Sequence, residues 1–467
     1  MVRPIMPLPT RLSVLLFVAL ASSLPLLAQD SRKVSEPVVP PVCSVVTAHL
    51  RTASGEIAEA DEERLDTERI QRALDRCGAG HAVALRTSGE ADAFLSGPLE
   101  LRQGVTLLID RGATLFASRD PRLYETSSGS CGVVNDERNG CRPLISVRNI
   151  RSAAVMGDGT IDGRGGAKLL HHEVTWWQLA EQARTGGRQQ VPRLIVADHA
   201  NDFILYRITL RNSPNFHVVY NHGDGFTVWG LKIDTPRRGA RNTDGVDPGG
   251  SRNVTITHSY IRTGDDNVAI KGGEAVSYIT IAHNHFYWGH GMSIGSETNG
   301  GVSHIRVNDL SLDTPDSGIR IKSMGTRGGV VEDVSYDDVC IRNSPRPIDI
   351  SAAYSANGPV KGNSPPTFRD ITLHDVRISG GGRILFEGYD EIHPAQVRLD
   401  DVQLTDDAAY TYSVMHADVA FGQGPVNLKL PAGLDSTMQG TPQKAETASC
   451  ADKFVPFPAT SASPVAP

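Results

Sequence analysis

Short runs of alternating apolar and polar residues recur along most of the chain, and glycine, asparagine or aspartate interrupts each run. Apolar residues at every second position are typical of half-buried β-strands. Four pairs of runs can be written beneath one another: residues 253–258 with 267–271, 278–283 with 292–295, 304–308 with 318–322, and 333–336 with 347–351. The pattern returns after roughly 25–30 residues, which is the period of a solenoid.

A parallel β-helix is the solenoid that this pattern favours, because each repeat holds several strands and no helix-period segment lies between them. The leucine and asparagine spacing of leucine-rich repeats is absent. One helix is predicted from Asp66 or Thr67 to Cys77, with Ile70 and Leu74 on its apolar face. We expect this helix to cap the open first coil, and a second short helix to form over 176–183.

Length and composition fit one elongated, β-rich unit. The chain has 467 residues, of which 46 are glycine and only 6% are aromatic. Length alone would suggest two or three domains, but a solenoid can extend as one. We interpret residues 29–430 as the β-helix domain, and residues 431–467, which are rich in Ala, Pro, Ser and Thr, as an irregular tail.

The first 28 residues have the features of a secretory signal peptide. Arg3 and Arg11 charge the start, an apolar run spans 12–27, and Ala28 is a small residue at the expected cleavage point. A retained membrane anchor is the alternative, but Pro25 and two serines interrupt a run that is already short for a bilayer. The sequence therefore predicts a secreted or periplasmic protein with no stable membrane association after cleavage.

Export makes disulfides possible, and the six cysteines allow complete pairing in 15 ways. Nearness along the chain favours the pairs Cys43–Cys77, Cys131–Cys141 and Cys340–Cys450. No Cys-x-x-Cys or Cys/His metal spacing occurs, so neither a metal nor another cofactor is expected.

The formal net charge is −7, and no basic run occurs, which excludes nucleic acid as an expected partner. An acidic protein that binds a polyanion needs its cations concentrated in one place rather than spread over the surface.

Four motifs at similar places in the repeat carry the candidate chemistry. Successive intervals from Asp244 to Asp266, His290, Lys322 and Tyr354 are 22, 24, 32 and 32 residues. We interpret each interval as one coil, the later two being lengthened by loops, and adjacent coils lie about 4.8 Å apart. One ladder of side chains on one face is therefore predicted. Its members are Asp244 in Asn-Thr-Asp-Gly, Asp265 and Asp266 in Gly-Asp-Asp, His290 in Gly-His-Gly, Arg320 and Lys322 in Arg-Ile-Lys, and Tyr354.

Such a ladder has the groups for acid/base cleavage of an acidic sugar polymer. Glycoside hydrolysis needs one carboxyl group to protonate the leaving oxygen and another to act at the anomeric carbon. Crowded carboxylates raise one another's proton affinity, so one can remain protonated as the acid. Arg320 and Lys322 can neutralise a uronate, and His290 can hold or pass on a proton near neutrality.

Each motif taken alone would more often be structural. An isolated Asn-Thr-Asp-Gly is usually a turn, and Arg-x-Lys on a strand is usually an exposed face; only their joint order, one coil apart, favours function. Asp247 is interpreted as a structural turn residue. Four other histidines are interpreted as solvent-facing or corner residues: His258, His283, His285 and His304.

These motifs resemble those of the polygalacturonases of glycoside hydrolase family 28, and most of all the bacterial endopolygalacturonases. The similarity runs from about residue 43 to 410 and includes Trp176-Trp177 and residues 192–195, 213–219 and 223–227. It implies a right-handed parallel β-helix and hydrolysis of α-1,4-linked galacturonan in pectin. By position, it makes Asp265 the general acid and makes Asp244 and Asp266 the residues that activate water. His290 would support the protonation of the acid.

The resemblance also implies that Arg320 and Lys322 bind the substrate carboxylate and that Tyr354, whose surroundings match only loosely, lines the cleft. It implies inversion at the anomeric carbon, although carboxylates on neighbouring coils would suggest the shorter separation of retaining enzymes. An endo-acting monomer is the expectation.

Several alternatives remain open at this point. A loop at 127–141 and the tail could close one end of the cleft, which would favour an exo-polygalacturonase or a rhamnogalacturonan hydrolase. A pectate lyase and a non-catalytic carbohydrate-binding β-helix are less favoured.

Overall fold

The computed structural model describes residues 29–138, 140–354, 362–443 and 449–459, and the predicted signal peptide lies outside this part of the chain. The fold is a right-handed parallel β-helix, as predicted. Two long parallel sheets enclose one main apolar core, and in each coil the polypeptide passes from the 20-stranded sheet to the 11-stranded sheet and back.

One sheet has 11 strands and forms the face that carries the motifs. Its strands are short, and each pairs in parallel with the corresponding strand of the next coil. In chain order they are Leu99–Glu100, Ile145–Arg148, Ile195–Asp198, Val218–Asn221, Val246–Gly249, Val268–Ile270, Met292–Gly295, Ile319–Lys322, Ile348–Ser351, Gly382–Glu387 and Tyr410–Met415.

The second sheet has 20 strands and folds around the rest of the coil. In the later coils its two flat halves join into single long strands that bend at residues of positive φ, such as His283 and Asp309. In chain order the strands are Val42–Thr47, His81–Arg86, Ala93–Ser96, Val105–Ile109, Thr114–Ala117, Ala154–Met156, Thr160–Asp162, Phe203–Tyr206, Thr209–Arg211, Asp224–Trp229, Lys232–Asp234, Arg252–Thr257, Tyr260–Arg262, Val276–Phe286, Val302–Asp313, Val330–Arg342, Thr367–Ser379, Ala395–Leu404, Ala417–Phe421 and Thr437–Gln439.

Interior side chains set the register between coils. Val246, Val268, Met292, Ile319 and Ile348 occupy matching positions of five successive coils, and all are fully buried. Burying one such side chain stabilises the fold by about 1.5–3 kcal/mol. A slip of one residue would turn the whole row outward, so the register of the outward-facing residues is fixed as well.

Two predicted helices are present, at Thr67–Arg76 and Trp176–Gln182. The first buries Ile70 and Leu74 against the first coil, as a capping helix should. Asp66 precedes it, but its side chain accepts hydrogen bonds from Arg69 and from the backbone of Leu95 rather than capping the helix. Single 3₁₀ turns lie at Glu59–Asp61, Pro121–Leu123, Ala183–Thr185, Asp407–Ala409 and Ala451–Lys453.

Three disulfides link the six cysteines in the predicted pairs: Cys43–Cys77, Cys131–Cys141 and Cys340–Cys450. The first ties the capping helix to the first strand, and the third fastens the tail to the second sheet. The Cys131–Cys141 loop contributes the strand Val133–Asn135, which pairs antiparallel with Arg188–Gln190 beside the 11-stranded sheet. Another short antiparallel pair joins Thr52–Ala53 and Glu56–Ile57.

Candidate active site

The first row of the site consists of Asp244, Asp266 and His290. Each lies two positions before a strand of the 11-stranded sheet, and these three strands pair in register. The three side chains therefore occupy one row across neighbouring coils, about 4.8 Å apart along the axis. Asp265 precedes Asp266 in the same turn, so the structure brings together the four predicted residues of the acid/base group.

Arg320 and Lys322 belong to different rows, and this corrects one step of the sequence interpretation. Arg320 pairs with Ser293, and Lys322 pairs with Gly295, inside the strands rather than before them. The interval of 32 residues from His290 to Lys322 thus exceeds one coil. Both cations nevertheless reach the carboxylates, because long side chains on the outer face extend back over the preceding coils.

Asp266 is the most heavily bonded carboxylate of the group. Its two oxygens accept hydrogen bonds from Lys322 Nζ at 2.8 Å, from Arg320 Nη1 at 3.2 Å and from the Ser293 hydroxyl at 2.7 Å. Burial alone would raise the pKa of Asp266, but Lys322 and Arg320 outweigh it and hold the pKa far below its ordinary value. Asp266 is therefore an anion throughout the working pH range.

Asp265 and His290 are the accessible members of the group. Their side chains are 18% and 30% exposed, whereas Asp244 and Asp266 are almost completely buried. His290 Nδ1 lies 3.0 Å from Asp265 Oδ1. Burial favours the protonated acid, but the hydrogen bond with His290 lowers the pKa of Asp265 below its ordinary value in the unliganded protein.

A residue without a role in the sequence interpretation, Asp316, closes this arrangement on the other side of the imidazole. Its Oδ2 lies 3.6 Å from Nε2 of His290, and its backbone N–H donates to the carbonyl of Gly289 at 2.7 Å. Arg237 holds the same carboxylate at 2.6 Å. His290 thus lies between two carboxylates.

Asp244 is buried beside two other charged groups that sequence reasoning did not assign to the site. Lys271 Nζ lies 3.4 Å from Asp244 and 3.9 Å from Asp247. Burial, with Asp265 and Asp247 as negative neighbours, raises the pKa of Asp244 well above its ordinary value. Burial likewise raises the pKa of Asp247 to about 7, although Lys271 opposes this.

The interpretation of Asp247 as a turn residue is wrong. Asp247 lies inside the strand Val246–Gly249, where its side chain is buried and both carboxylate oxygens lack a hydrogen-bond partner among the described residues. The turn residues before it, not Asp247 itself, reverse the chain. The apolar residues on either side of it, Val246 and Pro248, could have indicated that the Asp247 side chain points away from the core.

His217 fixes the turn that presents Asp244. Its ring Nδ1 lies 3.0 Å from the carbonyl oxygen of Asp244, and its Nε2 lies 2.8 Å from the Thr235 hydroxyl. Since a carbonyl can only accept, Nδ1 carries the proton. Complete burial lowers the pKa of His217 to about 4, so the ring stays neutral and serves as a fixed donor.

The Gly-His-Gly motif has a steric reason. Gly291 has φ of 79°, and a Cβ there would lie 2.0 Å from the carbonyl oxygen of Ser317. Only glycine fits this turn, which places His290 against Asp265. The first glycine, Gly289, meets the side chain of Asn267 in the same way.

Tyr354 lies beside the two cations, as expected. Its ring centre is 5.2 Å from the guanidinium carbon of Arg320 and 5.4 Å from Nζ of Lys322. The four other histidines remain outside the group: His258, His283 and His304 lie at positive-φ corners, and the half-buried His285 stacks on Tyr260.

The potential ligand atoms of Asp265, Asp266 and His290 lie within 4.8 Å of one another, as in a small metal site. Arg320 and Lys322 already neutralise Asp266, however, and their positive charges oppose a further cation at this position. In the described part of the chain, no helix is long and apolar enough to cross a membrane.

Comparison with known proteins places these residues in a wider group. Residues 89–420 match the family described as Glycosyl hydrolases family 28. An endo-polygalacturonase of Pectobacterium carotovorum subsp. carotovorum is 44% identical over 387 residues, which cover 82% of this chain and 92% of the relative. A polygalacturonase of Ralstonia nicotianae is 38% identical over 91% of this chain and 92% of its own length.

The solved structure of a polygalacturonase from Erwinia carotovora ssp. carotovora superposes with a TM-score of 0.77 at 41% identity. The alignment covers 84% of this chain and all of that one.

Proposed function

Because the chain belongs to family 28 of the glycosyl hydrolases, we propose that it hydrolyses α-1,4-galacturonosyl linkages in polygalacturonate, the acidic polymer of pectin, and that it cuts within the polymer. One observation carries the proposal: three carboxylates, a histidine and two cations meet on one face of the β-helix. Hydrolysis of a uronate polymer requires acid/base groups to cleave the glycosidic bond and cations to bind the uronate carboxylates.

In the proposed mechanism Asp265 is the general acid. It is the most exposed of the three carboxylates, so a glycosidic oxygen can approach it. Asp266 is an anion held by Arg320 and Lys322, and with Asp244 it activates the attacking water. His290, in contact with Asp265, supports the proton on the acid. Direct attack of the activated water, without a covalent intermediate, would invert the anomeric carbon, as the resemblance to the family implies.

In the unliganded protein, burial and negative neighbours raise the pKa of Asp244, whereas the hydrogen bond with His290 lowers the pKa of Asp265, so a proton shared by the two carboxylates favours Asp244. The two groups are coupled, since Asp265 is the strongest negative neighbour of Asp244. Protonation of Asp265 therefore promotes the loss of the proton from Asp244, and the pair titrates as a unit. Substrate binding drives this exchange, because a uronate carboxylate next to Arg320 and Lys322 adds negative charge near Asp265.

Arg320, Lys322 and Tyr354 are the proposed contacts of the uronate at the cleavage site. The two cations are buried and already share Asp266, so they are held in place before substrate arrives. The two cations lie over the Tyr354 ring, which we propose lines the border of the cleft.

We propose that the protein acts outside the cytoplasmic membrane, as a monomer. Three disulfides fit an oxidising compartment, and a polymer as large as pectin does not enter the cell. The predicted signal peptide at residues 1–28 agrees with this location.

Product analysis on polygalacturonate tests the proposal. Endo action predicts a rapid fall in viscosity while few reducing ends have formed, whereas exo action releases monomer or dimer with little thinning. An unsaturated product that absorbs ultraviolet light would identify a lyase. Activity on rhamnogalacturonan alone would identify a rhamnogalacturonan hydrolase.

The variant Asp265→Asn tests the role of the acid. Loss of a general acid lowers kcat by about 10²–10⁴-fold. The matched control is Asp313→Asn, which removes a partly exposed carboxylate from the second sheet, where it pairs with Arg342. Turnover of Asp265→Asn comparable to that of the control would refute the assignment, provided that both variants keep the wild-type circular dichroism spectrum.

A further inference from the structure

We propose that Asp198, His199 and His222 form a binding site for one divalent cation of the Zn²⁺ type, with Glu274 as the outer carboxylate that holds the His222 ring. We call these four residues the histidine corner. None of them belongs to the acid/base group or to the proposed uronate contacts.

Two neighbouring coils of the 11-stranded sheet build the histidine corner. The strands Ile195–Asp198 and Val218–Asn221 pair in register, so their ends lie side by side. His199 and His222 each follow their strand directly, and both have positive φ, 51° and 54°. The same bend therefore occurs at the same place in both coils, and it brings the two imidazole rings together with their centres 4.8 Å apart.

The potential ligand atoms of the corner converge on one point. Nδ1 of His222 lies 2.6 Å from Asp198 Oδ1, and Nδ1 of His199 lies 3.1 Å from the same oxygen. One ligand atom from each of the three residues lies within 4.8 Å of the others. In a tetrahedral zinc site, metal–ligand distances of about 2.0–2.2 Å place the ligand atoms roughly 3.3–3.6 Å apart. Small rotations of the rings therefore make room for the ion.

Glu274 supplies the second feature of a protein metal site. Its Oε1 lies 3.4 Å from Nε2 of His222, the ring nitrogen that does not face Asp198. A metal-bound histidine commonly donates its other N–H to a carboxylate, which fixes the ring and makes it a better ligand. Gly250 leaves room for this contact, because a Cβ there would lie 3.0 Å from the His222 ring and 3.2 Å from Glu274 Cβ.

The charges of the corner favour a divalent cation. With both rings neutral, Asp198 and Glu274 carry two negative charges. In the described part of the chain neither carboxylate forms an ion pair with lysine or arginine, and their partners are the two histidines. The catalytic group differs in this respect, because Lys322 Nζ already lies 2.8 Å from Asp266. A cation at the histidine corner therefore has carboxylate charge available to it.

The ligand atoms determine the class of metal. Two imidazole nitrogens and a carboxylate oxygen suit Zn²⁺, Ni²⁺ or Co²⁺, whereas Ca²⁺ and Mg²⁺ prefer oxygen ligands. Three protein ligands leave a fourth position for water. The ion would join two coils, and an ion that binds only the folded state stabilises it. Local sequence spacing did not indicate this site, because Asp198 and His222 are 24 residues apart and meet only through the coiling of the chain.

The histidine corner and the acid/base group lie at opposite ends of the strands. Asp244 and Asp266 lie two positions before their strands, whereas His222 follows the strand Val218–Asn221. The four residues of such a strand extend about 13 Å. Occupancy of the corner should therefore change neither kcat nor KM on polygalacturonate.

Zinc titration of the purified, untagged protein after removal of bound metal by a chelator tests the site. We expect one Zn²⁺ to bind per molecule, and we expect Ca²⁺ not to compete with it. The variant His199→Asn/His222→Asn should lose this binding, and Glu274→Gln should weaken it about tenfold. Asparagine tolerates the positive φ of both positions, so the backbone can keep its course.

A second pair of histidines provides the matched control. His258 and His283 also lie at positive-φ corners of neighbouring coils, with ring centres 5.2 Å apart. Their ligand atoms do not converge in the same way, because Nδ1 of His258 faces the hydroxyl of Thr257 at 2.8 Å. His258→Asn/His283→Asn should therefore bind zinc as the wild type does.

Thermal unfolding with and without Zn²⁺ gives an independent readout. Zinc should raise the melting temperature of the wild type and of the control variant, but not that of His199→Asn/His222→Asn. A wild-type Kd in the corner variant, an equal loss of binding in the control variant, or no binding to the wild type would overturn the proposal. If zinc inhibited hydrolysis equally in the wild type and the corner variant at the concentration that fills the site, the ion would lie at the catalytic group and the proposal would also fall.

Discussion

Replacement of Asp247 by asparagine should stabilise the protein at alkaline pH and leave its stability unchanged in acid. Asp247 is 2% exposed, and neither of its carboxylate oxygens has a hydrogen-bond partner among the described residues. Its pKa is raised from 3.8 to about 7. The folded protein therefore binds more protons than the unfolded chain between about pH 4 and 7, and stability from this group is lost as pH rises through that window.

The size of the effect follows from the same shift. A difference of about three pKa units corresponds to roughly 4 kcal/mol once Asp247 is fully ionised, and this is an upper limit. Part of it is offset because Lys271 loses one anionic neighbour, although Asp244 remains at 3.4 Å. We expect a net gain of about 1–2 kcal/mol above pH 7, seen as a melting temperature about 1–4 °C higher.

Thermal unfolding of wild type and Asp247→Asn near pH 4 and at about pH 8 measures this difference. Asp333→Asn is the control, and its effect on stability should have the opposite sign. Burial opposes ionisation of Asp333, but hydrogen bonds with His304 and Arg306 outweigh it and lower its pKa. That variant should lose stability at pH 8 and little in acid. A lower melting temperature of Asp247→Asn at pH 8, or an equal shift at both pH values, would refute the reasoning.

Two further predictions concern Asp316, beside the catalytic group, and the disulfide that holds the tail. Asp316→Asn should lower kcat about threefold at unchanged KM, because Asp316 contacts the His290 ring on the side away from Asp265 and helps to orient it; an unchanged kcat would contradict a role for Asp316. Cys340→Ser/Cys450→Ser should lower the melting temperature by about 3–6 °C and expose the tail to limited proteolysis, since the disulfide closes a loop of 110 residues; a tail equally resistant in both proteins would contradict this.

The fold could be predicted because the information lies in the strands. Alternating apolar residues recur in every coil, and the same residues that produce the pattern, such as Val246 and Met292, are the ones that stack in the core. The first row of the site was predictable for the same reason. Asp244, Asp266 and His290 lie at a constant offset from these core residues, so counting from one to the next gives one coil.

Counting failed where the counted residues lie at different offsets from their strands. The coil from Met292 to Ile319 has 27 residues, yet the interval from His290 to Lys322 is 32, because the two ends lie at different offsets from their strands. Alignment on the interior residues, rather than on the charged ones, would have placed Lys322 opposite Gly295. Lys271 and Asp247 were missed although both follow the outward alternation of their strands.

His217, Asp316 and the cavity lined by Arg142, Arg148 and Arg188 had no sequence signal of this kind. His217 acts through a ring contact with a backbone carbonyl, which no side-chain pattern encodes. The arginines come from loops and strand ends spread over 138–241, and each is unremarkable in its own segment. Only the packing of the Cys131–Cys141 loop against Arg188–Gln190 brings them to one cavity.

Whether an arginine or lysine is already paired with a carboxylate, rather than how many cations there are, determines where this acidic protein can bind a polyanion. Arg252, Arg262 and Arg342 each bridge to an aspartate of a neighbouring coil, at 2.6–2.8 Å, and they add no net charge to the outer surface. Arg320 and Lys322 are neutralised by Asp266 until a uronate competes for them. The cavity lined by Arg142, Arg148 and Arg188 keeps several guanidinium groups without a carboxylate partner among the described residues. Local positive charge beside the carboxylate group makes a net charge of −7 compatible with binding an anionic polymer.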